Sequence, residues 1–303
     1  MKDIIYHYYN LKINTITKNN NNYYFYYNDN LYYLYLYNNN LNIINNIYKL
    51  SLSIIPNITH NIIINKDNSI ITTIDNKPYI LLKINTNIKN KISINELNNF
   101  KKLYYIPDNK LIRGSWNILW SNKIDYIETQ INEIKTKYPI LTNSIDYFIG
   151  LTENAISYYQ NTIDNYQIPT NYSLSHNKIT NNNLNFYNPL NIIIDHEPRD
   201  LAEYIKLSFY SNNKSISNEI LFYIKNNNYN NYDICILISR LLYPSIYLDT
   251  YDNIINNITD EKQILPIINN IDNYETYLKN ILSILEKYYT FPNIEWLQQN
   301  KKE

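Results

Sequence analysis

Residues 191–203 have the sequence Asn-Ile-Ile-Ile-Asp-His-Glu-Pro-Arg-Asp-Leu-Ala-Glu. The apolar run 191–194 predicts a short buried strand. Pro198 suits the first turn of a helix over 199–209, because the N–H that proline lacks would be unpaired there anyway. Asp195 follows the strand and precedes the helix, so it fits either a metal ligand or a helix-capping residue. Both interpretations of Asp195 stay open from these residues alone.

The segment 172–195, which contains this strand, differs from its flanks. Short apolar pieces alternate in it with polar turns, a pattern typical of a small sheet that carries a site. One of the turns contains His176 and Lys178. A histidine in such a turn is more often a hydrogen-bonded structural residue than a general base. His196 is a further candidate base.

The two flanks of this segment have different periodicities. Residues 1–85 predict mainly strands, with a hairpin turn at 28–30 and a helix at 41–52. Beyond about residue 92, apolar residues recur at helical spacing, and Ser93 with Glu96 fits a capping box. Pro244 and Pro266 predict breaks between the later helices.

This order predicts an α+β protein. A small strand-rich N-lobe would occupy residues 1–85, a hinge or linker residues 86–92, and a larger helical C-lobe residues 93–303. The C-lobe would carry the site within the segment 172–200. Ser115 suits the N-cap of a long helix, in which Trp116 and Trp120 would share one buried face.

The composition excludes several classes of protein. The chain has two glycines, Gly114 and Gly150, so neither a P-loop nor a dinucleotide-binding glycine motif can be present. Its 27 basic residues equal its 27 acidic ones, and only three are arginines. A protein that binds nucleic acid needs a clustered positive surface, and this charge balance does not favour one.

Cysteine usage and hydropathy predict an intracellular protein. Cys235 lies in an apolar run and is predicted to be a core residue. The N-terminus has no apolar signal-peptide region, and no apolar run approaches the ~20 residues of a membrane-spanning helix. We therefore expect cytoplasmic synthesis and no membrane partner. Asparagine and tyrosine, at 58 and 35 residues, have AT-rich codons, so genomic base bias explains their abundance as well as a function of the tyrosines would.

The order of elements resembles the kinase architecture shared by protein kinases and aminoglycoside or choline phosphotransferases. Phosphoryl transfer needs a lysine on the phosphates, an acid that positions the hydroxyl, and an Asn/Asp pair on magnesium. In the aminoglycoside phosphotransferases the acid and the asparagine come from the motif H-G-D-x-x-x-x-N. The metal aspartate ends the apolar strand that follows. The resemblance implies a protein-kinase-like fold of this type.

The resemblance implies roles for individual residues. His176 matches the histidine of the motif, Asn183 falls at its asparagine spacing, and Asp195 matches the metal aspartate. His176 and Asp195 are thus candidate catalytic residues, and Asp195 and Asn183 candidate metal ligands. Lys178 stands where the catalytic aspartate is expected, and a charged lysine cannot accept a proton from a hydroxyl.

The lysine that would hold the phosphates has no clear equivalent. By strand order it belongs on 31–37, which contains no lysine, and the helix 41–52 contains no acid to pair with it. Lys83 is the alternative cofactor-binding candidate, with Glu96 as its partner. Lys83 falls on the last strand before the hinge, however, which favours a residue at the hinge edge.

Five blocks, at 114–120, 147–156, 195–206, 240–245 and 294–297, look like the YutH spore-coat family, which is related to the CotS-type coat proteins. The most specific block is Asp-His-x-x-Arg-Asp-x-Ala-Glu, which begins at Asp195. The resemblance implies a sporulation protein located in the spore coat, with coat proteins as partners. Arg199, Asp200 and Glu203 are predicted to form a structural network.

The leading hypothesis is a catalytically degenerate pseudokinase that acts as a structural or interaction module of the spore coat. The alternative is an atypical ATP-dependent phosphotransferase of unknown substrate. A third hypothesis is that nucleotide is bound without transfer, with Asp195 and magnesium holding the phosphates. ATP and Mg are the cofactors that the last two hypotheses require.

Overall fold

The computed structural model describes residues 1–38, 40–53, 58–85, 92–101, 111–166, 172–180, 182–211 and 217–298. Their contacts divide the chain into two compact units. Unit 1 comprises residues 1–112 and 173–195, and unit 2 comprises residues 113–172 and 196–303. Strands at the N-terminus and helices through most of the remainder confirm the predicted α+β class. Every helix within the described ranges is too short or too polar to span a bilayer.

Unit 1 is built on an antiparallel sheet. Its strands follow the order β1-β2-β3-β6-β4, and β5 pairs with β6 beside β4. A second, two-stranded sheet joins β7 and β8. The elements are α1 (Lys2–Tyr9), β1 (Thr17–Asn19), β2 (Asn22–Tyr27), β3 (Asn30–Leu36), α2 (Ile44–Ser53), β4 (Asn61–Ile63), β5 (Thr72–Ile74), β6 (Lys77–Lys83), α3 (Ile94–Lys101), β7 (Tyr172–His176), α6 (Asn183–Phe186) and β8 (Ile192–His196).

Two hairpins fix the register of the large sheet. Asn28 and Asp29 between β2 and β3 have φ of 47° and 59°, and Asp75 and Asn76 between β5 and β6 have φ of 49° and 60°. Positive φ at both central residues defines the type I′ turn, whose twist matches that of the strands. The hairpin predicted at 28–30 is therefore confirmed.

Helix α1 is an element that the sequence did not predict. Ile5 is fully buried and packs in one cluster with residues of the sheet, including Phe25, Leu34 and Leu81. Asn10 ends the helix in the left-handed conformation, at φ 58°, and donates its N–H to Tyr6 O. A helix this short depends on tertiary burial rather than on intrinsic propensity, which explains why periodicity missed it.

Unit 2 is helical, and one of its core clusters joins Ile127 of α4, Phe148 of α5 and Tyr247 of α10. The rings of Phe148 and Tyr247 stack with centroids 3.5 Å apart. The helices are α4 (Trp116–Ile134), α5 (Pro139–Asn165), α7 (Arg199–Tyr210), α8 (Ser217–Asn226), α9 (Asn231–Leu242), α10 (Ser245–Ile255), α11 (Leu265–Ile268), α12 (Ile271–Leu285) and α13 (Glu295–Gln298).

Three details of the predicted helix ends are wrong. Ser115 is the N-cap residue of α4, but its side chain makes no capping hydrogen bond and its φ is 53°. The Ser93 hydroxyl donates to Glu96 Oε2 at 2.7 Å instead of capping the backbone, although the Glu96 carboxylate does accept the Ser93 N–H. Pro266 lies in the first turn of α11 rather than at a break, because proline tolerates that position.

Other predictions about packing are confirmed. Trp116 and Trp120 are buried on one face of α4, with ring centroids 5.9 Å apart. Cys235 is a free, fully buried thiol. Pro244 separates α9 from α10. The hinge predicted at 86–92 lies almost entirely outside the described residues, so the boundaries of the two lobes stay a prediction.

Candidate functional site

A loop held together by asparagine amides connects β7 to β8 in unit 1. Asn191 Oδ1 accepts the Lys178 N–H at 3.0 Å. Asn191 Nδ2 donates to Lys178 O at 2.8 Å and to Asn185 O at 3.1 Å. One buried side chain therefore fixes both ends of the loop. The sequence did not single out Asn191, because asparagine, at 58 residues, is too common in this chain for one of them to stand out.

Aromatic rings enclose His176, the last residue of β7. It is fully buried, and its ring centroid lies 4.2 Å from that of Phe100 and 4.1 Å from that of Phe186. Its Nε2 is 3.0 Å from Phe186 O. These contacts favour the structural role over the general base, because a buried ring that is hydrogen-bonded to a carbonyl is not placed to meet a substrate.

His60, which the sequence did not single out, links the residues before β4 to the same loop. Its Nδ1 accepts the Asn85 N–H at 3.3 Å, so Nε2 carries the proton and donates to Leu184 O at 3.0 Å. The side chain is 1% exposed, and burial lowers the pKa of His60 from 6.5 to about 4. His60 is therefore neutral at pH 7. Its position between two apolar strands gave no signal in the sequence.

His60, Leu184 and Asn185 border a cavity of about 240 Å³ in unit 1. Tyr33 and Tyr35 of β3 face it, and the described residues that line it include no Asp, Glu, Lys or Arg. Because its one histidine is neutral, the described lining carries no charge at pH 7. The full described lining is Asn19, Asn22, Tyr33, Tyr35, His60, Leu82, Ile84, Asn182, Leu184, Asn185 and Asn188.

The predicted role of Asp195 and Asn183 as metal ligands stays a prediction. Asp195 is fully buried near the end of β8, where it interacts with neighbouring groups. Pro198, not Asp195, occupies the N-cap position of α7. Asn183 begins α6, and its side chain lies outside the described part of the structure. Within the described ranges, no three His, Cys, Asp or Glu residues group as a metal site would require.

Lys83 lies on β6, opposite Tyr32 of β3 and Asn61 of β4. Its neighbours Leu82 and Ile84 line the cavity. Because successive side chains of a strand point to opposite faces, Lys83 is directed away from the cavity. Its predicted role as a cofactor-binding residue gains no support from this placement and stays a prediction. Lys178 is exposed on the loop.

Unit 2 contains a buried polar cluster around Lys206 of α7. Its Nζ lies 2.8 Å from Glu203 Oε1, 2.7 Å from Ser245 Oγ, and 3.1 and 3.2 Å from the carbonyl oxygens of Arg240 and Tyr243. The Ser245 hydroxyl donates to Glu203 Oε2 at 2.9 Å. Burial lowers the pKa of Lys206, against the opposing charge of Glu203. Burial alone would raise the pKa of Glu203, but Lys206 and Arg199 hold it below its usual value.

Two of the three arginines pack on one tryptophan beside this cluster. The guanidinium carbons of Arg199 and Arg240 lie 4.6 and 4.4 Å from the Trp116 ring, within the range of a cation–π interaction. Both arginines are buried, as is Asp200 in the first turn of α7. The blocks 114–120, 195–206 and 240–245 thus meet around Trp116 and Lys206. This geometry agrees with a structural network of Arg199, Asp200 and Glu203, which remains a prediction until tested.

His196 also lies in an aromatic setting. Its Nε2 is 2.8 Å from the Tyr159 hydroxyl, and its ring stacks on that of Tyr172 with centroids 5.1 Å apart. The side chain is 3% exposed. His196 is therefore part of the core of unit 2. Because its ring is buried, the structure gives no support to its role as a base.

Solved structures with a similar fold include an aminoglycoside phosphotransferase and a spectinomycin phosphotransferase. An aminoglycoside phosphotransferase from Alicyclobacillus acidocaldarius subsp. acidocaldarius is similar, with a TM-score of 0.64 and 8% identity, over 91% of this chain and 93% of that one. The spectinomycin phosphotransferase APH(9)-Ia, solved in complex with ADP and spectinomycin, has a TM-score of 0.56 and 12% identity, over 92% of each chain. These identities show the fold alone. The chain therefore has the aminoglycoside-phosphotransferase type of kinase fold, as predicted.

The family is shown by a match along almost the whole chain. Residues 2–286 match the family model described as "Spore coat putative kinase YutH". The chain belongs to this YutH family of spore-coat, kinase-like proteins.

A curated relative agrees with this membership. The endospore coat-associated protein YutH of Bacillus subtilis (strain 168) is 24% identical over 209 residues. The match covers 61% of this chain and 61% of that protein. The chain thus spans less than two thirds of the relative's length in this match.

The fold type implies a magnesium–nucleotide complex, and the described cavity does not fit one. A triphosphate needs lysine, arginine or metal charge to offset its own. The described lining has only amides, phenols, a neutral imidazole and aliphatic groups. Asp195 is buried and is not among the residues that line the cavity.

Proposed function

We propose that this protein is a non-catalytic member of the YutH family, a pseudokinase that serves as a structural or interaction module of the spore coat. The observation that carries the proposal is the uncharged lining of the described cavity, which offers a triphosphate no opposite charge. Two features of the sequence support it. Lys178 stands where the resemblance expects a catalytic aspartate, and β3 contains no lysine.

The coat role rests on the family and on the coat association printed for the Bacillus subtilis relative. Coat proteins are the partners that this role implies. The alternative, an atypical ATP-dependent phosphotransferase, would require charged groups from residues beyond the described lining. Asp195 with magnesium is the ligand set that such an enzyme would use.

The coat role is tested in sporulating cells that lack their own YutH-family gene. We expect the wild-type chain and the Asp195→Asn variant to appear in equal amounts in coat extracts, because the proposed role needs no metal–nucleotide complex. Absence of both proteins from the coat would contradict the coat assignment. Loss of the variant alone, with its melting temperature unchanged, would contradict the non-catalytic assignment.

A further inference from the structure

Three of the amides that line the cavity in unit 1 are oriented by the backbone. Asn22 Oδ1 accepts the Leu36 N–H at 2.8 Å. Asn182 Oδ1 accepts the Leu184 N–H, and Asn188 Oδ1 accepts the Leu190 N–H, both at 2.9 Å. An oxygen held in this way leaves the Nδ2 group of the same side chain as the donor that faces elsewhere.

Among the described residues, these three Nδ2 groups have no protein partner. Asn188 is the most informative, because it is 95% buried and yet lines the cavity. An amide donor on the wall of a cavity is paired with water or with a ligand. Several such donors in one lining can pair with a molecule that offers several hydrogen-bond acceptors.

The remaining walls favour a ring and disfavour charge. Tyr33 and Tyr35 contribute aromatic rings to the lining, and Leu82, Ile84 and Leu184 contribute apolar side chains. Such groups pack against a ring compound. An anion that enters would lose part of its hydration without meeting an opposite charge on the described walls, which is unfavourable.

We propose that this cavity binds an uncharged ring compound rich in hydrogen-bond acceptors and selects against nucleoside di- and triphosphates. A neutral nucleoside and a neutral amino sugar share this chemistry. The inference deepens the proposed function and rests on it for the absence of phosphoryl transfer. The cavity is then a binding site of the coat module, with the amide donors of Asn22, Asn182 and Asn188 as its recognition groups.

The test measures dissociation constants by calorimetry on the full chain at pH 7.5, with adenosine, N-acetylglucosamine, Mg-ADP and Mg-ATP as probes. We expect one of the two uncharged probes to bind at least about tenfold more tightly than either nucleotide complex. Which of them binds distinguishes the nucleoside from the sugar. Tighter binding of Mg-ATP, or no binding of either uncharged probe, would overturn the inference.

Two variants and a control test whether the uncharged probe and the nucleotide complexes are distinguished in this cavity. Asn188→Asp keeps the oxygen that accepts the Leu190 N–H and removes the Nδ2 donor, so it should lose the uncharged probe. Tyr35→Lys adds a positive charge to the lining and should strengthen Mg-ADP binding about tenfold. Tyr26→Lys adds the same charge to the same sheet at a side chain that is 65% exposed, and should leave all four constants unchanged.

These outcomes separate the inference from the proposed function. Release of γ-phosphate from Mg-ATP, followed in the same samples, would refute the non-catalytic role whatever the affinities are. Failure of both uncharged probes, with no phosphate released, would refute the binding inference alone. If Asn188→Asp retains the uncharged probe while Tyr35→Lys leaves Mg-ADP binding unchanged, the probe binds elsewhere and the inference fails.

Discussion

Replacing Lys206 by methionine is expected to lower the free energy of unfolding by about 3–5 kcal/mol. The side chain is 2% exposed, and its Nζ has four oxygens within 3.2 Å. Methionine fills a similar volume but removes the cation that pairs directly with the Glu203 carboxylate, which keeps the Ser245 hydroxyl and the weaker attraction of Arg199 and Arg240. A largely buried charge that loses its ion-pair partner keeps its desolvation cost with less opposite charge to offset it. The measurement is equilibrium unfolding in urea at pH 7.5.

The matched control is Lys123→Met. Lys123 also pairs with a carboxylate, that of Asp252, but the two side chains are 22% and 41% exposed. Solvent screens such a pair, so its loss should cost at most about 1 kcal/mol. Equal effects of the two substitutions would contradict the account of the Lys206 cluster.

Removing both Lys206 and Glu203 distinguishes the cost of an unpaired buried charge from the loss of the ion pair itself. In the double variant Lys206→Met with Glu203→Leu, no unpaired carboxylate remains. Part of the stability lost in Lys206→Met should therefore return, because apolar replacement of a buried ion pair is often close to neutral. A double variant less stable than Lys206→Met would show that Glu203 stabilises the fold through its other partners, the Ser245 hydroxyl and the charge of Arg199.

A second large effect is expected from His60 on lowering the pH. Its pKa falls from 6.5 to about 4 on folding, so the neutral imidazole stabilises the folded chain fully above pH 6.5. Below pH 6.5 the His60 imidazole is protonated in the unfolded chain but stays neutral in the folded chain. This contribution to stability is therefore lost as pH falls toward 4. Linkage gives a loss of about 2 kcal/mol between pH 7.5 and pH 5, and about 3 kcal/mol in full.

The measurement compares unfolding free energies at pH 7.5 and pH 5 for wild type and His60→Gln. Glutamine retains an amide donor and does not titrate, so the pH-dependent loss should shrink by about 2 kcal/mol. His7→Gln is the control, because His7 is exposed on α1. If His60→Gln has the same pH dependence as wild type, His60 is not the buried neutral base described above.

The fold could be predicted because periodic patterns of apolar residues recur along the chain. Alternating apolar residues and two turn signals located β2, β3 and β6, and helical spacing located α4 and α5. Helix α1 could not be predicted, since it depends on the burial of Ile5 against strands distant in sequence. Local patterns carry no information about such contacts.

The polar contacts were predictable only in part. Arginine is so rare in this chain that Arg199 and Arg240 carried information, and both lie on Trp116. Asparagine is so common that Asn188 and Asn191 carried none. His60 acts through partners 25 and 124 residues away in the chain. Long-range hydrogen bonds of this kind have no spacing rule from which a sequence could predict them.

The non-catalytic role is tested by the release of γ-phosphate from Mg-ATP by the purified full chain, compared with Asp195→Asn purified in the same way. Any contaminating kinase contributes equally to both preparations. We expect equal release from both, at the level of the buffer blank. Release by the wild-type chain that disappears in Asp195→Asn, with the variant still folded by its melting curve, would show that this kinase fold is a working phosphotransferase.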